Sequence, residues 1–443
     1  MRFCVGIYRL VALVLCGSSL LAPPIPAESK DNEAEPFTKY ERYSATYEVN
    51  ADGTYVEHYE WAVRVLGDEG VASASSTSIT YTKRLHAIEV LEAYTLKPDG
   101  RRIDAPPNNY QVLQAGTARR EAAATCANHK SMTVVFAEVA VGDLVVFSYR
   151  RVQQEALFPG HFSLALPLSR DELYDDVRIR LSAPESMVLY VFSRDVGGEE
   201  IEHARGRREW LWSFRNAKRA KPDHSELSWS DTGPVILVST FGDYQALGTA
   251  YELRARPKAA VTERVRALAA ELTSGTDTPR TQVNALYDWV SKNIRYAGNC
   301  LGASSMVPQD VDRILTSKMG DCKDHAALMQ ALMDAKDIPS TLALVRIGAS
   351  STLPELPVAA AVNHVMNYVP SLDLFIDTTA KNIPFGALPR STSNKPVVLT
   401  GAPYGIRRTP SIDDRTNWVR VKLNLQGPPD SSADEETNLE TGG

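Results

Sequence analysis

One change in hydrophobic periodicity constrains the fold of this chain more than any other feature. Residues 43–49 alternate between apolar and polar side chains, a turn follows at residues 50–53, and similar short runs recur to about residue 240. Alternation of this kind is typical of strands with one buried face. From about residue 241 the apolar residues instead follow helical spacing, as in residues 261–272. We therefore predict an α+β protein in which an antiparallel β-sandwich over residues 35–240 precedes a domain that contains helices.

The second half divides further by composition. We predict a helical connector over residues 241–277, a mixed core over residues 278–390 and a C-terminal strand extension over residues 391–424. The helix predicted after Cys322 is apolar nearly all round, which is expected of a helix buried on most sides. The polar segment 425–443 has too little apolar surface to offset its ordering entropy, so we predict a disordered tail.

The first 27 residues have the pattern of a secretory signal peptide. Arg2 and Arg9 accompany a short apolar run, and small residues lead to a cleavage position after Ala27. A membrane anchor would need about 20 apolar residues, but residues 17–19 interrupt this run. A lipoprotein signal is disfavoured because the bulky Leu15 precedes Cys16. We expect secretion, most simply to the periplasm.

Charge and cysteine content exclude other classes of protein. The formal net charge of -6 over 443 residues argues against a nucleic-acid binder, since such binding needs a basic face. The basic cluster within residues 205–221 is predicted to be the solvated face of a hairpin rather than a patch for an anionic envelope polymer or lipid surface. Loss of the signal peptide would leave Cys126, Cys300 and Cys322, too few for a disulfide framework. Cys126 and Cys300 either pair in an oxidising compartment or remain buried thiols.

Cys322 lies in the run Gly-Asp-Cys-Lys-Asp-His at residues 320–325, directly ahead of the apolar helix. Gly320 permits a tight turn and Asp321 can cap the helix, so the first-turn N–H groups would face the sulfur. Such a helix start, together with an imidazole, lowers the pKa of a thiol and yields the nucleophilic thiolate. The same N–H groups are suited to hold the oxyanion of an acyl-transfer intermediate. For a cysteine considered alone, a buried structural thiol is the alternative.

Two histidines follow Cys322 and are candidates for its base. His325 lies one turn along the same helix and would lean back toward the sulfur. A base there leaves little room for substrate, however, and an exposed helix histidine is the simpler interpretation. His364 opens a predicted strand and Asp377 ends the next one, so the two can face each other as a cross-strand pair. We predict Cys322, His364 and Asp377 as the candidate catalytic residues. Considered alone, His364 could be a core histidine and Asp377 could be a residue that forms a turn.

These residues carry a resemblance to a known family. Residues 278–388 resemble the transglutaminase-like core, a papain-related fold in which a Cys opens a central helix and His and Asp lie on consecutive antiparallel strands. The matching residues are Trp289, Arg295, Tyr296, Pro308, Gly320, Asp321, Cys322, Lys323, Asp324, Asn363, His364, Val365, Asp377 and Thr378. Residues 35–240 are similar to the uncharacterised β-sandwich domain that precedes such cores in Gram-negative envelope proteins. The chain departs from the family pattern in its short C-terminus, in Thr379, where a proline is common, and in His325.

The resemblance implies that Cys322 is the nucleophile, His364 the base and acid, and Asp377 the orienting carboxylate. The implied function is a secreted cysteine enzyme that forms an acyl-thioester with a peptide or carboxamide of the cell envelope. Water as acceptor would make it a peptidase or amidase, and an amine a transglutaminase. The sequence has no phosphate-binding glycine loop, dinucleotide fingerprint or metal-ligand spacing, so no cofactor or metal is expected. The alternative is a catalytically silent envelope module whose sandwich recognises an envelope partner.

Overall fold

The computed structural model describes residues 36–114, 129–204, 206–220, 229–297, 306–348, 350–412, 418–426 and 434–442. The predicted signal peptide, Cys126, Cys300 and both ends of the basic cluster, Arg205 and Lys221, lie outside these residues. Within the described residues, no helix is long and apolar enough to cross a membrane.

The first half of the chain is built almost entirely of strands. In chain order its elements are β1 (Thr38–Val49), β2 (Tyr55–Val65), α1 (Asp68–Ala74), β3 (Ser76–Thr82), β4 (His86–Leu96), β5 (Arg102–Asp104), β6 (Tyr110–Gln114), β7 (His129–Val135), β8 (Leu144–Gln153), β9 (Ser163–Pro167), β10 (Leu173–Pro184), β11 (Tyr190–Arg194), β12 (Gly197–Ala204), β13 (Arg207–Asn216), α2 (Trp229–Thr232) and β14 (Val235–Ser239). Alternation explains the strands: in β10, Val177, Ile179 and Leu181 are buried while Arg178 and Arg180 are exposed.

These strands form a sandwich with one large layer and two small ones. The large sheet has the order β12-β13-β10-β1-β2-β8-β4-β5, in which only β1 and β10 run parallel. Sheet β11-β14-β9 packs over one half of its face, where Ile236 and Val238 meet Ala45 and Ile179. Sheet β3-β7-β6 covers the other half through residues such as Ile79. The two small sheets therefore share one face of the large sheet.

The basic cluster lies on the β12–β13 hairpin. The Arg208 guanidinium pairs with the Glu200 carboxylate at 2.8 Å and lies 4.8 Å from the centre of the Trp210 ring. Arg207 instead turns inward and donates hydrogen bonds to Ser182 and to the Val49 carbonyl. Where it is described, this region is thus the hairpin that the sequence predicted.

Helices dominate the second half. Its elements are α3 (Tyr244–Ala255), α4 (Glu263–Leu272), α5 (Pro279–Asn293), β15 (Arg295–Tyr296), α6 (Val311–Ser317), β16 (Met319–Gly320), α7 (Cys322–Asp334), β17 (Thr341–Val345), β18 (His364–Val369), β19 (Leu374–Ile376), β20 (Pro396–Leu399), β21 (Gly405–Arg408), β22 (Trp418–Gln426) and β23 (Asp434–Gly442). Short 3₁₀ turns occupy Pro107–Asn109, Arg256–Lys258, Ala359–Ala361 and Pro370–Leu372.

Helix α7 is the centre of this half. All its residues from Cys322 to Met333 are buried, because α4, α5 and α6 surround it and the sheet β19-β18-β17-β20-β21 covers its remaining side. Val265 and Ala269 of α4 belong to the same apolar core, and α3 packs on β20 and β21. The helices predicted as a connector are therefore integral to the core.

The C-terminal segment differs from its prediction. The sequence predicted disorder over residues 425–443, but β23 pairs antiparallel with β22 from Trp418–Gly442 to Gln426–Asp434. Ladder hydrogen bonds of an antiparallel pair satisfy backbone groups without an apolar core. Low hydrophobicity alone therefore does not predict disorder where two strands can form such hydrogen bonds.

Candidate active site

The start of α7 is held by a reciprocal capping box. Asp321 Oδ1 accepts a hydrogen bond from the Asp324 N–H at 3.3 Å, and Asp324 Oδ2 accepts one from the Asp321 N–H at 3.1 Å. Gly320 precedes this box for a steric reason: a Cβ atom there would lie 2.7 Å from the Asp324 Cβ. The close approach predicted at Gly320 is present, but Gly320 ends the short strand β16 instead of forming a turn, and Cys322 is the first residue of the helix.

Asp324 also anchors the preceding loop. Its carboxylate accepts hydrogen bonds from the backbone N–H and the side-chain amide of Gln309, both at 2.8 Å. Burial first, and then the charge of Asp321, raises the pKa of Asp324, while Lys323 and Gln309 act in the opposite direction. The final Asp of the Gly-Asp-Cys-Lys-Asp run is therefore a structural group that fixes the helix start.

Lys323 forms a buried ion pair with Asp321. Burial opposes the charge on the Lys323 ammonium, but Asp321 and Asp324 more than offset it and raise its pKa. A buried cation thus lies directly beside the Cys322 thiol, and it is balanced by carboxylates on both sides.

His364 and Asp377 meet as the sequence predicted. His364 is the first residue of β18, Asp377 follows the last residue of β19, and β18 pairs antiparallel with β19. His364 Nε2 lies 2.8 Å from Asp377 Oδ2, and the two residues are only 4% and 3% exposed. His364 Nδ1 is buried and has no hydrogen-bond partner among the described residues. One imidazole nitrogen is therefore oriented by the carboxylate and the other is left for another group.

Thr379 holds the second oxygen of Asp377. Its N–H donates to Asp377 Oδ1 at 3.1 Å and its hydroxyl donates to the same oxygen at 2.6 Å. Burial alone would raise the pKa of Asp377, but the bonds from His364 and Thr379 bring it below its ordinary value. Sequence reasoning did not assign Thr379 this role, although a threonine two residues after an aspartate is a recognised turn signal. A proline at Thr379 would remove both donors.

The Cys322 sulfur contacts the strand that carries His364. The Val365 N–H donates a hydrogen bond to it, and the Asn367 side-chain amide donates to the Ala326 carbonyl at 2.9 Å, so α7 is tied to β18 at two points. The thiol is completely buried. This burial, followed by the charge of Asp321, raises the pKa of Cys322 well above its usual value, against the lowering effect of Lys323 and the Val365 N–H. The sequence-based expectation of a lowered thiol pKa is wrong for this closed structure, because desolvation exceeds the effect of the helix start.

His325 is buried rather than exposed. Burial lowers its pKa to about 4, despite the neighbouring Asp324 and Asp377. Its Nδ1 lies 3.4 Å from the Thr378 hydroxyl, and its ring centre is 6.0 Å from that of Tyr296. The interpretation as an exposed helix histidine is therefore wrong: α7 is enclosed on all sides, so its polar residues are buried as well.

Two tyrosines lie close to Cys322. Burial, and then the charge that Cys322 and Asp321 would carry, raises the pKa of both Tyr251 and Tyr296. The Tyr251 hydroxyl is buried without a hydrogen-bond partner among the described residues. Tyr296 carried a family signal in its Arg-Tyr pair, whereas Tyr251 lies in α3 and had no sequence signal. In the described part of the chain, no group of three or more His, Cys, Asp or Glu side chains is arranged to hold a metal ion.

Comparison with protein families divides the chain as the periodicity does. Residues 51–221 match the family model of DUF3857, a domain of unknown function. Residues 266–373 match the model of the transglutaminase-like superfamily. A search of curated proteins finds no match. The chain therefore carries an N-terminal DUF3857 region and a C-terminal transglutaminase-like core, which confirms the predicted resemblance and fold class.

One solved structure supports the same fold. The crystal structure of "a putative protease" from Parabacteroides distasonis is similar over 85% of this chain and 72% of its own chain, with a TM-score of 0.72 and 18% sequence identity. That of "a putative cysteine protease" from Cytophaga hutchinsonii covers 63% of this chain and 84% of its own, with 13% identity and a TM-score of 0.23. The first likeness shows that the arrangement of both halves recurs; the second is too weak to carry an argument.

Proposed function

We propose that the protein is a cysteine enzyme in which Cys322 forms an acyl-thioester with a peptide or carboxamide. The observation that carries this proposal is the position of His364. Its Nε2 is bound to Asp377, its Nδ1 is unpaired among the described residues, and the next residue, Val365, donates its N–H to the Cys322 sulfur. A base that is oriented on one side and available on the other is what a thiol nucleophile needs.

In the first step, the Cys322 sulfur attacks the carbonyl carbon of the substrate. An S–C bond forms, and the thiol proton passes to His364 Nδ1. The tetrahedral intermediate then collapses, the C–N bond breaks, and His364 returns the proton to the leaving amine. The first-turn N–H groups of α7 stabilise the oxyanion, and Asp377 holds the imidazole in the required tautomer.

In the second step, an acceptor attacks the thioester carbonyl. His364 takes the acceptor's proton and delivers it to the departing Cys322 sulfur, which restores the thiol. Water as acceptor gives a peptidase or amidase, and an amine gives a transglutaminase. Both reactions share the same first half, so the triad by itself does not select the acceptor.

The burial of Cys322 affects how the first step proceeds. Because its pKa is raised in the closed structure, the resting sulfur is a neutral thiol. Deprotonation by His364 then accompanies attack on the carbonyl instead of preceding it, and substrate has to part the residues that cover the sulfur. Cell-envelope peptides and proteins are the proposed substrates and the periplasm is the proposed location, in keeping with the pattern of residues 1–27.

The same burial favours one alternative function. A thiol without solvent access and with a raised pKa also fits a catalytically silent scaffold, in which the sandwich binds an envelope partner. The two functions differ in one observable, a covalent acyl adduct on Cys322.

The test is to incubate the full chain with a mixture of envelope peptides, stop the reaction with acid and locate acyl adducts by mass spectrometry. We expect an adduct on Cys322. His364→Ala should slow its formation by about 10²- to 10⁴-fold, the usual contribution of a general base, while Cys322→Ala abolishes it. His58→Ala, at an exposed position on β2, is the matched control and should behave as the wild type.

The absence of an adduct under all conditions would favour the silent scaffold. An adduct whose rate is unaffected by His364→Ala would contradict the assignment of the base.

A further inference from the structure

A slot of about 490 Å³ opens in the sandwich between its two small sheets. We call it the sandwich slot. Its floor is one face of the large sheet, formed by alternate residues of two paired strands: Tyr55, Glu57, Tyr59 and Trp61 of β2, with Tyr149 and Arg151 of β8. A volume of this size is typical of ligand pockets, which occupy about 300–1,000 Å³.

The walls of the sandwich slot are strand edges. Four consecutive residues of β3, at positions 77–80, and three of β9, at positions 164–166, line it. Side chains of a strand alternate between its faces, so a run of consecutive lining residues indicates an edge. Both strands are edge strands: β3 pairs only with β7, and β9 only with β14, among the described strands. Each therefore presents unpaired backbone groups on the side away from its partner.

The floor combines aromatic rings with a neutralised charge pair. Arg151 Nη1 lies 3.1 Å from Glu57 Oε2, and the Tyr149 hydroxyl donates to Glu57 Oε1 at 2.8 Å. Arg151 Nε is buried and has no hydrogen-bond partner among the described residues. The floor thus suits apolar or aromatic side chains and retains one donor for a carbonyl oxygen.

A second cavity adjoins the sandwich slot on the side of the helical core. It has a volume of about 320 Å³ and shares Tyr55, Leu164 and Ala165 with the slot. Its far side is formed by Ala359, Ala360, Val362 and Asn363, which lead directly to His364. The two cavities therefore share part of their lining, and the second one is lined by the residue that precedes the proposed base.

We propose that the sandwich slot binds an extended segment of the peptide substrate as an added strand between β3 and β9. The peptide backbone satisfies the two open edges, and every second side chain rests on the aromatic floor. The edge formed by residues 77–80 is long enough to pair with about four peptide residues, each of which adds ~3.3 Å to an extended strand. The inference rests on the proposed function for the fate of the peptide, since the segment beyond the slot would run through the second cavity toward Cys322.

Binding is tested with the full chain carrying Cys322→Ala, which cannot form a thioester. The probe is the capped peptide acetyl-Lys-Val-Thr-Tyr-Thr-Val-Lys-amide, whose Val and Tyr side chains share one face of a strand. Titration is followed by calorimetry. We expect binding that weakens about ten-fold when both Thr nitrogens are methylated, because the loss of two backbone hydrogen bonds amounts to about one factor of ten.

A bulky side chain in the slot provides the matched test. Thr80 is an exposed residue of β3 that lines the slot. Thr80→Trp should weaken binding about ten-fold or more. Gln111→Trp, on the exposed edge strand β6 of the same small sheet, should leave affinity unchanged. Thermal unfolding verifies that each variant is folded, and Ser78→Trp replaces Thr80→Trp if the latter is not.

Equal affinity for the methylated peptide, or unchanged affinity in the Trp variants, would overturn the added-strand proposal. Binding of an N-acetylglucosamine oligomer that Thr80→Trp abolishes, with no binding of the peptide, would also overturn it and assign the slot to glycans. Peptide binding without any acyl adduct on wild-type Cys322 would contradict the proposed function and leave the slot intact. An adduct that forms at the same rate in Thr80→Trp would separate the slot from the reaction.

Discussion

At the scale of single residues, the two histidines of the candidate site differ in the groups that surround their imidazole rings. His364 and His325 are both buried, but His364 has a carboxylate at 2.8 Å, whereas His325 Nδ1 lies 3.4 Å from the Thr378 hydroxyl. A carboxylate partner stabilises an imidazolium and burial alone destabilises it. His325 is therefore suited to remain neutral as part of the packing around α7.

The neutrality of His325 predicts an acid-dependent loss of stability. Its pKa is lowered to about 4 in the folded protein and is ~6.5 in an unfolded chain. Between these values the unfolded state binds more protons, so the free energy of unfolding falls as pH decreases. Going from pH 7 to pH 5, we expect the wild type to lose ~2 kcal/mol more than His325→Gln, as measured by urea denaturation.

His58→Gln controls for this substitution, because His58 is exposed on β2. It should follow the wild type at both pH values. Identical pH dependence of His325→Gln and wild type would show that His325 is not buried in a neutral form.

At the scale of elements, the start of α7 is shaped by its contacts more than by helix propensity. Gly320, the Asp321–Asp324 capping box and Gln309 together place the thiol at the first helical position. Asn367 and Val365 then tie the helix to β18. Cys322 and its proposed base His364 thus lie on two elements that are joined directly, which limits how far their separation can vary.

This arrangement predicts a specific effect of Gly320→Ala. The added Cβ would lie 2.7 Å from the Asp324 Cβ, so the capping box and the bonds to Gln309 would have to shift. We expect a loss of ~1–3 kcal/mol in the free energy of unfolding, as is typical of overpacking, together with slower acylation of Cys322.

Gly67→Ala is the matched control, since its nearest contact would be an ordinary 3.5 Å to the Phe37 ring and its φ is -151°. Urea denaturation and the adduct assay measure both variants. An unchanged unfolding midpoint for Gly320→Ala would mean that the backbone at position 320 accommodates a side chain.

At the scale of the whole molecule, the sandwich and the core share a buried interface. Val235 and Leu237 of β14 pack against Val358 and Ala361. The Ser239 hydroxyl donates to the Pro357 carbonyl, and the backbone N–H of Ala359, which precedes β18, donates to the Ser163 hydroxyl of β9 at 3.1 Å. The segment that leads to His364 is thus fixed by the sandwich as well as by the core.

Such an interface predicts that the two halves unfold together. Leu237→Ala removes a completely buried side chain and should lower the free energy of unfolding by ~2–5 kcal/mol. We expect tryptophan fluorescence, to which Trp61, Trp210 and Trp212 of the sandwich and Trp289 of the core contribute, to shift together with far-UV circular dichroism of the helices. Leu253→Ala, 73% exposed on α3, should change neither signal. A shift confined to fluorescence would show that the halves unfold independently.

A feature can be predicted from the sequence when the residues that determine it are close together in the chain. The fold class and the places of Cys322 at a helix start, His364 at a strand start and Asp377 just after a strand follow from local patterns: periodicity, a helix cap and strand boundaries. The hydrogen bonds from Thr379 to Asp377 are also local, because a threonine two residues after an aspartate is a turn signal. The burial of His325, the contact between Val365 and the thiol and the position of Tyr251 depend on neighbours far away in the chain.

The sequence by itself determined the α+β class, the change from sandwich to helical core and the order of the residues proposed as nucleophile, base and carboxylate, because these depend on periodicity and on residue types at fixed spacing. Only the tertiary structure decided the protonation of the site. The helix start and Lys323 favour a Cys322 thiolate, but complete burial and Asp321 outweigh them. Desolvation depends on every element packed around an atom, and for Cys322 these include β18 and α3, which lie at distant positions in the sequence.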